Sequence, residues 1–177
     1  MTEPTLLGIC GSLRAASTNR LALQEARRLF GPATWVEGNL RLPLYDADLE
    51  AQGMPETVTT LANQIAGADA IVIATPEYGK NLPGVLKNAL DWTSRIKGAT
   101  WKDKPVAIIS AAAGRAGGER AQFSLRHCLT PLNPYVLTGP EVLIANSSEA
   151  FDEQGHLKDA FTTKILTDLM AALRATI

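Results

Sequence analysis

Short apolar runs rich in β-branched residues alternate along this chain with stretches of helical periodicity, and that alternation limits the fold more than any other feature. Thr5–Cys10, Ala33–Glu37, Ala70–Ala74 and Val106–Ser110 read as strands, and Tyr135–Leu137 with Val142–Ala145 as a last strand broken near Gly139-Pro140. Leu21–Phe30, Glu56–Ala66, Pro83–Ser94 and Arg120–Leu129 read as helices. A final helix carries Phe161, Ile165, Leu166, Leu169, Met170 and Leu173 at helical spacing. Asn19 is a candidate cap for the first helix, and Pro83 suits the first turn of the third. The strands are apolar without strict alternation, the pattern of strands covered on both faces. Right-handed crossovers between parallel strands then give an α/β, doubly wound three-layer sandwich around a five-stranded parallel sheet. No repeat or linker interrupts the order, so residues 1–177 are expected to form a single domain.

Composition excludes several classes of function. A formal net charge of −1, with no block of Lys and Arg, gives no general attraction to nucleic acid or to anionic membranes. Any phosphate site must therefore be local. No apolar stretch reaches the length of a membrane span, and Met1-Thr2-Glu3-Pro4 does not open a signal peptide. A cytoplasmic protein is expected. Cys10 and Cys128 are too few for a disulfide framework and read as buried thiols, with no metal site expected.

Three loops stand out, after the first, third and fourth strands: Gly11–Thr18, Pro76–Asn81 and Ala111–Gly118. In an open α/β sheet such loops converge at the carboxyl edge, where ligands bind. The first supplies hydroxyls at Ser12, Ser17 and Thr18, a guanidinium at Arg14, and the backbone N–H groups that open a helix. A phosphate monoester needs that set: short donors, one charge-assisted donor, and the positive end of a helix. The loop is not a Walker A, for no Lys-Ser or Lys-Thr follows its glycines. Gly8 and Gly11 are too widely placed for the dinucleotide fingerprint, although Glu37 ends the second strand where a ribose-binding acid would sit.

The stretch Pro76-Glu77-Tyr78-Gly79-Lys80-Asn81-Leu82-Pro83-Gly84-Val85-Leu86-Lys87-Asn88-Ala89-Leu90-Asp91-Trp92, with the Gly-Ser-x-Arg-x-x-Ser-x-Asn loop at Gly11–Asn19, resembles the NAD(P)H-dependent FMN reductase family. That family includes quinone, chromate and azo-dye reductases and is flavodoxin-like in fold. The resemblance extends to Leu42–Asp46 and to Gly114–Gln122 with Leu125-Arg126, nearly the whole chain. It implies that Ser12, Arg14, Ser17 and Asn19 hold the FMN phosphate, with Leu13 and Thr18 in the same binding stretch. Pro76, Glu77, Tyr78 and Gly79 would border the isoalloxazine ring, and Ala112 and Gly114 would form the third flavin loop. Three departures stand out: Gly79 for the family's asparagine, and Asn81 and Ala112 for serines.

The resemblance further implies FMN as cofactor, NADPH or NADH as co-substrate, and a small-molecule electron acceptor reached by a ping-pong cycle. It also implies a homodimer or homotetramer with the helix at Leu82–Trp92 near the subunit contact. No nucleic-acid or membrane partner is expected. Hydride chemistry belongs to the cofactor, so no side chain is assigned as catalytic. Glu77 could serve as an acid on paper, but its backbone is the expected contributor. His127 and His156 have no carboxylate or serine at pairing distance in sequence, and Trp92 and Trp101 read as core or interface residues. The competing readings are a flavodoxin-type electron carrier and a flavin-binding redox sensor. Carriers are usually strongly acidic, and this chain is close to neutral.

Overall fold

The computed structural model describes residues 3–98 and 100–177, so Met1 and Thr2 of the expected leaderless terminus lie outside the described residues. Five strands pair in parallel in the order β2 (Thr34–Gly38), β1 (Thr5–Cys10), β3 (Ala70–Thr75), β4 (Pro105–Ala111), β5 (Tyr135–Val136). A sixth, β6 (Val142–Ile144), also pairs with β4, further along its length. β5 and β6 therefore occupy one edge position in two pieces, which reconciles six strands with the five positions expected.

The alternating side chains of the central strands feed two separate cores. Leu6, Val72, Ala74, Ala107 and Ile109 point to one face, where Leu23, Ala26 and Phe30 of α1 (Thr18–Phe30) meet Leu166, Met170 and Leu173 of the C-terminal helix (Ala160–Arg174). Leu7, Ile9, Ile71, Ile73 and Ile108 point to the other, under helices Glu56–Gly67, Gly84–Ser94 and Glu119–Leu129. With both faces buried, period 2 vanishes from the hydrophobicity of the strands. β3 is buried at all six positions.

In chain order the helices are α1, α2 (Ala47–Gln52), α3 (Glu56–Gly67), α4 (Gly84–Ser94), α5 (Glu119–Leu129) and α6 (Ala160–Arg174). α2 was not expected from sequence. It buries none of its residues, so it carries no apolar stripe, and its one signal is the Asp46 cap accepting from the Asp48 N–H at 2.9 Å. α1 starts three residues earlier than its apolar spacing suggests. Its cap is Ser17, not Asn19: the Ser17 Oγ accepts from the Asn19 N–H at 3.2 Å. Pro83 is the cap position of α4 rather than a residue of its first turn.

Two further expectations change. Cys10 is buried, but Cys128 is only half-buried. His156 does have a carboxylate partner, Glu25, which lies 131 residues away and so leaves no trace in local spacing.

Candidate functional site

At the carboxyl edge of the sheet the three peculiar loops come together. Gly11 donates its N–H to the Ala74 carbonyl at 2.8 Å, which draws the first loop against the second. A Cβ there would lie 3.0 Å from Pro76 Cδ and 3.1 Å from Pro83 Cγ, so the close approach depends on glycine. Between the loops lies a cleft of about 290 Å³.

Ser12, Arg14, Ser17, Thr18 and Asn19 line one side of this cleft, and Pro76, Glu77, Tyr78 and Ala112 the other. Nine of the twelve residues expected from sequence are thus brought together. Leu13 is not among them; its side chain packs on the second core and faces a neighbouring cavity. Gly79 and Gly114 lie in the right loops but outside the cleft lining. Ala111, Ala113 and Ser147 line it without having been foreseen. Ser147 follows β6, and its Oγ accepts from Thr18 Oγ1 at 3.1 Å. Its one sequence signal is its place just past the carboxyl end of a strand.

Three hydroxyls in the cleft are withdrawn from water: Ser12 is 2%, Ser17 3% and Ser147 6% exposed. Ser12 Oγ receives a long bond from the Arg14 N–H at 3.4 Å and lies 3.4 Å from the Tyr78 hydroxyl. Ser17 Oγ spends its acceptor on the helix cap and keeps its proton for another partner. The first N–H groups of a helix have no acceptor within it, and among the described residues that of Thr18 has no protein acceptor. Arg14 is exposed and folds back on its own loop, with Nη2 donating to the Ala16 carbonyl at 3.0 Å. Buried hydroxyl donors, a free helix N-terminus and a mobile-stemmed guanidinium fit a phosphate monoester.

Asn19 lines the cleft with its side-chain amide already engaged on the neighbouring backbone. Its Nδ2 donates to the Ala111 carbonyl at 2.8 Å, and its Oδ1 accepts from the Ala111 N–H at 3.0 Å. It fixes the start of the third loop against the first helix.

The second loop is a tight hairpin. Tyr78 and Asn81 exchange both backbone bonds, at 3.0 and 3.1 Å, around Gly79 (φ +57°) and Lys80 (φ +63°). Two consecutive left-handed residues define a type I′ turn, which glycine enters without strain. Glu77 is tied to α5: Oε2 accepts from the Arg120 backbone N–H at 3.2 Å and Oε1 from its guanidinium at 3.3 Å. A carboxylate so held caps a helix from outside. Tyr78 is 51% exposed and stands over the cleft rather than beneath the loop.

Trp92 and Trp101 are core residues, with indole N–H groups donating to the Pro43 carbonyl and to Thr93 Oγ1. His127 is exposed and is not among the residues that line the cleft.

A family model described as NADPH-dependent FMN reductase matches residues 4–149. The chain belongs to the NADPH-dependent FMN reductase family. A Pseudomonas aeruginosa protein named NAD(P)H-dependent FMN reductase is 44% identical over 171 residues, covering 96% of this chain and 92% of its own. A quinone reductase of Escherichia coli is 38% identical over 170 residues, covering 93% and 90%. Among solved structures, the flavoenzyme NAD(P)H:(acceptor) oxidoreductase FerB of Paracoccus denitrificans superposes with a TM-score of 0.88 at 32% identity, over 97% of this chain and 96% of that one. Membership makes the chain an oxidoreductase whose family cofactors are FMN and a nicotinamide dinucleotide. No helix among the described residues is long and apolar enough to cross a membrane.

Proposed function

We propose that this chain, as a single domain over residues 1–177, takes hydride from NADPH or NADH through bound FMN. The electrons then pass to a small-molecule acceptor such as a quinone, a free flavin, an azo compound or a metal oxyanion. The observation that carries the reading is the cleft of buried hydroxyls at the start of α1, closed by the loops after β3 and β4. FMN bound there would supply the hydride chemistry.

The protein's own part is to bind and to orient. Ser12, Ser17 and the Thr18 N–H would hold the phosphate, and Arg14, whose Nη2 now donates to the Ala16 carbonyl, would supply the neutralising charge. The backbone of 76–79, braced by Glu77 on Arg120, would border the flat ring, and Asn19 on Ala111 fixes the third loop beside it. Glu77 is engaged in that bracing and His156 in a hydrogen bond with Glu25, so neither is assigned a proton-transfer role. The open side of the cleft receives the dinucleotide and then the acceptor in turn, which predicts ping-pong kinetics.

The site we assign to self-association is the apolar groove of about 660 Å³ between α4 and the end of α5, giving a homodimer or homotetramer. Two free thiols and a dinucleotide co-substrate suit the cytoplasm, where we place the protein.

Anaerobic addition of NADPH or NADH to the FMN-loaded protein tests the reading. Rapid bleaching of the yellow absorbance, followed by parallel lines at varied quinone, is the expected result. Flavin that stays oxidised with both dinucleotides would instead indicate an electron carrier or a sensor.

A further inference from the structure

A second and larger cavity flanks the first loop on its other side. It opens between the loops that follow β1 and β2, has a volume of about 570 Å³, and shares only Ser12 with the flavin cleft. Its floor is Cys10 and Gly38, the last residues of β1 and β2. Arg20, in the first turn of α1, forms an ion pair with Glu37 of β2 at the rim. Arg41 reaches across the mouth, with Nη2 donating to the Leu13 carbonyl at 3.1 Å.

None of these charged groups serves the flavin cleft, and each has capacity to spare. A guanidinium carries five N–H donors, of which Arg20 and Arg41 each commit only a small part within the protein. The Glu37 carboxylate has a second oxygen without a protein partner among the described residues. A carboxylate at the end of the second strand accepts from ribose hydroxyls, and paired guanidiniums take diphosphate oxygens. The apolar wall of Leu13, Ala15 and Leu40 leaves room for a base. Neither the charge nor the size of the cavity suits a hydrophobic acceptor.

Position agrees with chemistry. The loops bordering the flavin ring follow β3 and β4, whereas this cavity sits at β1 and β2. The separation is about two strand spacings, roughly 10 Å, and a dinucleotide laid across the sheet edge bridges it through its diphosphate. We propose that this cavity binds the adenosine half of the nicotinamide dinucleotide, with Glu37 accepting from the ribose and Arg20 and Arg41 facing the diphosphate. The proposal rests on the flavin reading of the neighbouring cleft.

The test is calorimetric binding of ADP-ribose, which lacks nicotinamide, to the oxidised FMN-loaded protein. The double variant Arg20→Gln/Glu37→Gln removes the ion pair without leaving a lone charge. It should weaken ADP-ribose by about tenfold or more, the scale of charge-assisted bonds, while FMN affinity stays unchanged. Asn39→Leu, at the exposed mouth of the cavity, should obstruct ADP-ribose with the ion pair intact. Reduced nicotinamide mononucleotide, which has no adenosine, should react with the same KM in wild type and both variants. ADP-ribose binding that neither variant changes would overturn the assignment, as would a dinucleotide KM that stays at the wild-type value in both. If dinucleotides bleach the flavin but ADP-ribose does not bind, the cavity proposal fails and the reductase stands. If ADP-ribose binds at the cavity and no dinucleotide bleaches the flavin, the reductase reading fails instead.

Discussion

The side-chain amide of Asn19 grips the backbone of Ala111 from both sides, donating to its carbonyl at 2.8 Å and accepting from its N–H at 3.0 Å. All of these groups are buried, so the first helix and the end of β4 share a rigid joint across the cleft. Asn19→Ala would leave two buried backbone groups unpaired, a loss of about 2–3 kcal/mol. Denaturant unfolding should record that loss, and FMN affinity should fall with it because the third loop loses its anchor. Wild-type stability in this variant would show that water replaces the amide and that the joint is not structural.

Ser17 and Arg14 separate fold from ligand. Ser17 caps α1 and is buried, whereas Arg14 is exposed and bonded only to its own loop. Ser17→Ala should cost about 1 kcal/mol of stability through the cap. Arg14→Ala should leave stability unchanged, and both should weaken FMN by about 1–3 kcal/mol. Fluorescence titration with FMN measures the second quantity. Unaltered affinity in both variants would place the phosphate elsewhere.

Gly79 departs from the asparagine usual in the family, and the structure makes the exchange intelligible. The position has φ +57° and open space where a Cβ would stand. Asparagine enters the left-handed region readily, whereas a β-branched residue does so at a cost of about 1–2 kcal/mol. Gly79→Asn should therefore fold and bind FMN nearly as wild type, while Gly79→Val should unfold at lower temperature. Equal melting temperatures for the two variants would contradict the turn described here.

The strand and helix order was readable because each buried strand is a dense apolar run and each crossover helix carries a stripe. α2 escaped because a helix without buried residues has no stripe to read. The phosphate loop was legible as a cluster of short donors, yet the separate duties within it were not. Asn19 looks like one more donor in sequence, and its commitment to Ala111, 92 residues away, exists in three dimensions alone. Ser147 had only its place just past a strand end to mark it, and its bond from Thr18, 129 residues away, again exists in three dimensions alone. The Tyr78 motif, by contrast, keeps its turn, its brace and its contact with the cleft within one loop and the helix it touches.

The buried carboxylate of Glu25 ties the segment around His156 to α1, and its titration makes that tie dependent on pH. Glu25 is 2% exposed and accepts two bonds from Arg28 at 2.8 Å, with His156 Nδ1 at 3.0 Å and the Leu157 N–H at 3.4 Å. Burial alone raises its pKa, but the bonds from Arg28, His156 and Leu157 together outweigh it and hold the value below the ordinary 4.5. A carboxyl whose folded pKa lies below its unfolded one stabilises the fold fully above the unfolded value. That contribution disappears as pH falls through the folded value. Wild-type stability should hold at neutral pH and decline as pH falls below about 4.5 and through the lower folded value. Glu25→Gln should be less stable at neutral pH and show a shallower acid decline, as denaturant midpoints across that range would record. Parallel acid profiles for the two proteins would mean that other carboxylates govern the loss and that the Glu25 tie is indifferent to its charge.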